Sequence, residues 1–279
     1  MEKDARRLGE ARSMLSIWQS VLIVLGTIAL SLVFLAVLRR IWPATQRTEH
    51  NDIIGWQISV LGTTYAVILA FMLWNVWTNF QTARITTEME ANYLVDLYRI
   101  AGGLETAQSK PLRALCREYA AVMVSEEWPA MAQKQLSARS FSVTQQMWDV
   151  LVQAHSNGDH AASSSAVPDS FQQSKYEQAF SALSQMSEHR RLRQIESRMK
   201  LPGILWAVLV IGCIVVIGSA CLFGCENFAL HFIHVFVLSL LLSLVLVSIA
   251  EIDRPFQGPV RVQADAFAFA QQTFTQLPQ

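Results

Sequence analysis

Cys221, Cys225, His231 and His234 are the residues in this chain best suited to metal chemistry, spaced Cys-x-x-x-Cys and then His-x-x-His. Thiolates and imidazoles are zinc ligands, so the spacing raises a metal site, and the two cysteines raise a disulfide. Three of the four residues, however, fall inside stretches apolar enough to lie in a membrane, where Cys and His are ordinary packing residues. A structural role is the stronger reading, and no cofactor or metal is expected. Cys116 and Cys213 stand apart from this group, so no disulfide framework emerges. His50, His155, His160 and His189 are isolated. No nucleophile elbow, Walker loop, kinase loop or metalloprotease motif is present, and the chain does not read as an enzyme.

A second constellation has the spacing for conduction. With successive residues turned by about 100°, Gln57, Leu61, Thr64, Ile68, Phe71, Met72, Asn75, Asn79 and Thr82 collect on one helix face, within roughly 60° of Asn75. This stripe is polar at both ends and apolar in the middle. A helix lining a pore would look like this, with Ile68, Phe71 and Met72 as a neck that gates by dewetting and Gln57, Thr64, Asn75, Asn79 and Thr82 as polar lining. One stripe cannot enclose a pore, so that reading requires a ring of subunits. The alternative is that the Asn and Thr side chains hydrogen-bond to neighbouring helices. Asp52, at the outer mouth, is read as a helix cap, and Arg84, Glu88 and Glu90, just inside, as caps or solvated residues. No carboxylate or His lies at mid-span, which argues against a proton relay.

The elements that must hold these residues can be read from composition. Of 279 residues, 52% are hydrophobic and only 16% charged, against about 25% charged in a soluble domain, and mean hydropathy is +0.28. Net charge is zero, which with the lack of any zinc-finger or helix-turn-helix pattern excludes nucleic acid as an obvious partner. Four stretches are long and apolar enough to span a bilayer, at about 14–38, 55–80, 201–223 and 228–250. The first is too long for a signal peptide and is read as a retained helix. Lys3, Arg6, Arg7, Arg12, Arg84, Arg99, Arg190, Arg191, Arg193, Arg198, Lys200, Arg254 and Arg261 fall on one side of these spans. Only Arg39, Arg40 and Arg47 fall on the other. The positive-inside rule places both ends and the middle segment in the cytoplasm.

Between the second and third spans the pattern is helical. Ile85, Met89, Tyr93, Leu97 and Ile100 recur at steps of three and four, so the second span continues as one rod until Gly102-Gly103. A helix is expected from Pro111, with proline in its first turn, to Met131. A weaker one covers 142–155, SNGDHAASSSAVPDS (156–170) reads as a mobile surface loop, and a last helix starts near Asp169. Pro202 marks a junction before the third span. After the fourth, EIDRPFQGPV places charges, Pro255 and Gly258-Pro259 where an apolar helix must stop.

Three stretches together resemble a bacterial membrane family described as bestrophin-like. The first, AFMLWNVWTNFQTARITTEMEANYLVDLYRIAGGL, carries Trp77, Phe80, Ala83, Arg84, Glu90, Ala91, Leu94 and Tyr98. The second, LRALCREYAAVMVSEEWPAM, carries Tyr119, Glu127, Trp128 and Pro129. The third, DRPFQGPVRVQADAF, carries Asp253 to Phe256, Gly258 to Val262 and Phe267. The resemblance implies similarity to bestrophins: homopentameric, mostly anion-conducting channels with four membrane helices, a cytosolic helical region and a neck on the second helix. In animal bestrophins an acidic run after a Pro-Phe pair clasps calcium. Here Pro255-Phe256 is followed by QGPVRVQ, short of the carboxylates calcium needs, so no calcium clasp is expected. Asp253, Arg254, Pro255 and Phe256 are read instead as a structural latch, with Phe267 and Phe274 packing back on the cytoplasmic helices.

The expectation is an all-α integral membrane protein with four transmembrane helices and a helical cytoplasmic extension, bestrophin-like. It divides into 1–80, 81–200, 201–250 and 251–279. Its partners would be copies of itself, small inorganic ions such as chloride, and the bilayer of a bacterial inner membrane. The competing reading is a non-conducting membrane scaffold or signalling protein whose residues 81–200 bind a partner.

Overall fold

The computed structural model describes the backbone of residues 2–162 and 170–277, and the side chains of residues 17–153 and 171–277. The basic side chains expected to anchor the N-terminus (Lys3, Arg6, Arg7, Arg12) and those of His155 and His160 lie outside them. Among the described residues every regular element is helical: α1 (Glu2–Ile41), α2 (Ala44–Thr48), α3 (Asn51–Ala101), α4 (Thr106–Val122), α5 (Trp128–Met131), α6 (Ala138–Ala162), α7 (Ser170–Glu196), α8 (Gly203–Leu222), α9 (Phe228–Ile252) and α10 (Asp265–Gln276), with a π-helical turn, Met123–Glu127, joining α4 to α5. Four helices are long and apolar enough to cross a membrane: α1 over Ile17–Ile41, α3, α8 and α9.

The chain forms two compact units. One comprises Met1–Asn79, Lys200–Arg254 and Gly258–Val260, and the other Phe80–Met199, Pro255–Gln257 and Arg261–Gln279. In the first, α1 packs along α9 and against α8, and α8 against α9. Leu35, Leu209, Val216, Val235, Leu242 and Ile249 fill the space between them. Pro202 stands at the N-cap of α8, the junction expected of it. Asn227 caps α9 by accepting from the Leu230 amide at 3.2 Å, which satisfies one of the amides a helix start leaves bare.

In the second unit α4 packs against α6 and α10, and α6 against α7. Tyr98, Leu112, Tyr119, Met147 and Leu183 are fully buried there. The C-terminal helix joins this core as expected. Phe274 stacks on Tyr98 with centroids 4.4 Å apart, and Phe267 meets Trp128 edge-on at 5.5 Å.

Several elements depart from the sequence pattern. Residues 156–162, expected in a loop, continue α6; the rest of that loop, 163–169, lies outside the described residues. Pro111 sits inside α4, not in its first turn, because the helix begins five residues earlier at Thr106. The expected helix to Met131 is interrupted by the π turn, which adds one residue to the local repeat and re-aims the chain beyond it. The short α2 has no counterpart among the expected elements. The rod is present: α3 runs unbroken for 51 residues and ends before Gly102-Gly103.

Candidate functional site

The membrane half of α3 is fastened to its own unit along one line, Tyr65, Leu69 and Val76, all buried. Tyr65 reaches across to donate from its hydroxyl to the Leu209 carbonyl of α8, 2.6 Å away. A Cβ at Gly212, one turn further along α8, would collide with the Tyr65 ring, so glycine there permits the approach. Beside this line Leu61, Ile68, Met72 and Leu73 are half-buried, and most of the remaining membrane-half side chains are exposed. Only 17% of its most apolar window is buried, against 22–39% for the other three spans.

The stripe lies beside that fastening line. Gln57, Thr64, Phe71, Asn75, Asn79 and Thr82 are exposed, while Leu61, Ile68 and Met72 are half-buried and lean on the core of their unit. The three neck residues are thus unequal: Phe71, 65% exposed, projects free, with Ile68 and Met72 on its flank. Asn79 donates to the Asn75 side chain at 3.4 Å, a bond along the helix instead of across to another. A pair of amides so placed must meet water or another chain, since leaving a polar group unpaired in hydrocarbon costs several kcal/mol.

The second unit holds a charged cluster that the sequence pattern does not reveal. Arg193 of α7 is fully buried and donates through Nε to Glu90 of α3 at 2.7 Å and through Nη1 to Glu127 at 3.3 Å. Tyr119 donates to the other oxygen of Glu90 at 2.6 Å. Glu127 also accepts from the Ser137 amide at 2.7 Å and the Ser140 hydroxyl at 3.1 Å. The Trp128 ring lies 5.4 Å from the Arg193 guanidinium. Burial alone would lower the Arg193 pKa, but the charge and hydrogen bonds of Glu90 carry it above the ordinary value, so the guanidinium stays charged. Burial, and then the Glu90 charge, raise Tyr119 well above a free phenol. One turn on, Glu196 accepts from Thr86 at 2.9 Å. Its second oxygen is buried without a partner.

Glu90 is expected from sequence on a cap or a solvated surface, and its full burial overturns that. A signal is available: Glu90 is seven residues from both Ala83 and Leu97, and Arg193 is seven from Met186, so each charge keeps the register of buried apolar neighbours. The π turn carries Glu127 and Trp128 inward to meet them. Asp52 and Arg84 are exposed, Arg84 pairing with Glu88 at 2.9 Å along the helix.

The hairpin between α8 and α9 does not gather its thiols and imidazoles. Cys221 turns to the Ser31 carbonyl and Cys225 to that of Asn227. His231 bonds the Ala220 carbonyl at 3.1 Å, all four cysteines are free, and no three potential ligands converge among the described residues. The group that does gather is cationic: Arg47, fully buried, donates to the Cys221 carbonyl at 2.7 Å. Arg47 thereby satisfies a carbonyl that the end of α8 leaves open, while His231 adds to the Ala220 carbonyl a second donor beside the Phe223 amide at 3.4 Å.

At the other end of α9, Asp253 accepts from the Leu201 amide at 2.8 Å, while Arg254 is exposed. Pro255 offers its carbonyl to the Val262 amide at 2.7 Å, closing a turn that Gly258 permits with φ +79°. Phe256 is buried edge-on to Trp128, 6.0 Å away.

A family model described as a bestrophin-like domain matches residues 25–267. Among solved structures, two point variants of a bacterial bestrophin homolog from Klebsiella pneumoniae align with TM-scores of 0.62 and 0.60 at 12% and 11% identity, each over 91% of this chain and 98% of theirs. A further structure of a bestrophin homolog from that organism aligns with a TM-score of 0.57 at 12% identity, over 92% of this chain and 100% of the other. At these identities the likeness is one of fold. No curated protein matches the chain.

Proposed function

The chain belongs to the bestrophin-like family, and from that premise we propose that it is a homo-oligomeric ion channel, built as a pentamer with α3 lining the pore. The observation that carries this reading is the state of α3 in a single chain. The Asn75–Asn79 pair bonds along the helix, Phe71 projects bare, and the most apolar stretch of α3 buries a smaller share than that of any other span. A ring of copies supplies both needs, covering the apolar flanks with protein and giving the stripe a water-filled axis. Phe71, flanked by Ile68 and Met72, forms the neck, where narrowing among apolar side chains expels water. Gln57 and Thr64 line one side of it, Asn75, Asn79 and Thr82 the other. Chloride and other small anions are the family-based choice of ion. Gating by a calcium clasp is not part of the proposal, for want of carboxylates after Phe256. The setting is a bacterial inner membrane with both ends cytoplasmic, and Asp253 to Phe256 act as a latch that fixes the chain's exit from α9.

Flux from liposomes holding the purified protein tests this, comparing chloride with potassium and wild type with Phe71→Ala/Met72→Ala. Truncating the neck widens it and lowers its dewetting barrier, so the variant is expected to conduct several-fold more than wild type. Equal flux from the two would remove the neck from these residues. No flux from either, in protein verified as oligomeric, would favour a scaffold role.

A further inference from the structure

The cytoplasmic stretch of α3 and the end of α7 run antiparallel in strict register. Thr86 bonds Glu196, Glu90 pairs with Arg193, and the Tyr93 ring stacks on His189 at 5.4 Å. As α3 advances by four and then three residues, α7 steps back by three and then four. At about 100° per residue, Ile85 and Met89 precede this contact line in phase on α3, as Leu192 and Ile195 do on α7. Because the helices are antiparallel, all four fall on the same flank of the pair. They form one patch, and none of them is buried: Ile85 is 53% exposed, Met89 41%, Leu192 36% and Ile195 48%. The pairs Arg84–Glu88, Asp96–Arg99 and Glu188–Arg191 border it.

We propose that this patch is a subunit contact covered by a second copy of the chain. The inference rests on the ring reading and adds to it which cytoplasmic surface the neighbouring copy takes. Two observations choose the occupant. The three ion pairs on the border cancel within themselves, and with Arg198 one turn beyond Ile195 the rim stays mixed in sign, which suits self-association and offers little attraction to an anionic membrane surface or a polyanion. An apolar centre with a charged rim is also the anatomy of a protein–protein contact. In a closed ring the contact is heterologous, so the patch meets a different surface of the next copy.

The test places a photoreactive benzophenone amino acid at position 195 in the full-length protein, and at position 269 as a control. Phe269 is 67% exposed on α10, which packs on α4 and the π turn. Illumination of the detergent-solubilised oligomer is expected to give an adduct at twice the chain mass from position 195, and several-fold less from 269. In parallel, Ile85→Glu/Ile195→Glu, whose substitutions are surface changes within one chain, is expected to shift native mass from oligomer toward monomer, while Phe269→Glu does not. If wild type itself runs as a monomer, the ring reading fails and this contact with it. If wild type is oligomeric but position 195 gives no protein adduct and the double variant keeps its mass, the ring stands and this patch is not its contact.

Discussion

Glu196 shows how one residue behaves when its environment lacks a partner. One carboxyl oxygen accepts from Thr86 and the other is buried without a hydrogen-bond partner. Arg193 and His189 on its own helix and Glu90 on α3 supply the nearby charges. Arg193 is committed to Glu90 and Glu127. Burial therefore raises the Glu196 pKa above its ordinary 4.5. The folded state then holds the proton more tightly than the unfolded one. The associated stability is complete below the ordinary carboxylate pKa and is lost as pH rises through the raised value. Glu196→Gln keeps the shape and removes the titration. Relative to this variant, wild type is expected to lose melting temperature as pH climbs from about 4 toward neutrality. A difference between the two that stays flat across that range would show that Glu196 does not titrate between the folded and unfolded states. Arg193 is the opposite case. Removing one partner of a buried pair generally costs ~3–5 kcal/mol, so Glu90, Glu127 and Arg193 have to be treated as one unit.

At the scale of elements, glycines decide how closely segments approach, and neighbours decide which glycines matter. A Cβ at Gly224 would sit 2.5 Å from the Thr48 amide nitrogen and 2.7 Å from the Arg47 carbonyl carbon. Both are backbone atoms of α2, held in place by the Arg47 bond to α8 and by Asn51, which exchanges two hydrogen bonds with Gly224. At Gly102 the nearest obstacle is the guanidinium end of Arg113, a side chain that can shift at the loss of its part-buried bond to the Tyr98 carbonyl. Gly224→Ala is therefore expected to cost ~1–3 kcal/mol, as overpacking does, while Gly102→Ala stays within about 1 kcal/mol of wild type. Thermal melts of the two variants side by side check this. Equal losses would mean that the hairpin backbone yields as readily as a side chain. The π turn belongs to this scale too: without its extra residue, Glu127 and Trp128 would leave the core they fill.

For the whole molecule, the open prediction is which way it faces. The excess of bases flanking the middle segment puts the 223–227 hairpin outside. Cys225 in that hairpin is half-exposed, whereas Cys116, Cys213 and Cys221 are buried. A membrane-impermeant maleimide added to intact spheroplasts is expected to label wild type and to leave Cys225→Ser unlabelled. Labelling that appears only after lysis would invert the topology.

The amino-acid sequence by itself determined the helical class, the four spans, the unbroken α3 rod and its stop at Gly102-Gly103. Each is set by hydropathy, periodicity or turn chemistry within a few turns of chain. It also carried the stripe from Gln57 to Thr82, since the phase of a helix is set locally. It did not carry the fate of Glu90, Glu127 and Arg193, which come from three distant segments. A charge reads as exposed until long-range packing delivers its partner, and the register with Ala83, Leu97 and Met186 was the one local trace of that burial. Tertiary structure alone also decided which line of α3 is fastened through Tyr65 and which flank stays bare. That choice depends on where α8 presents Leu209 and the space at Gly212, something no periodicity within α3 encodes.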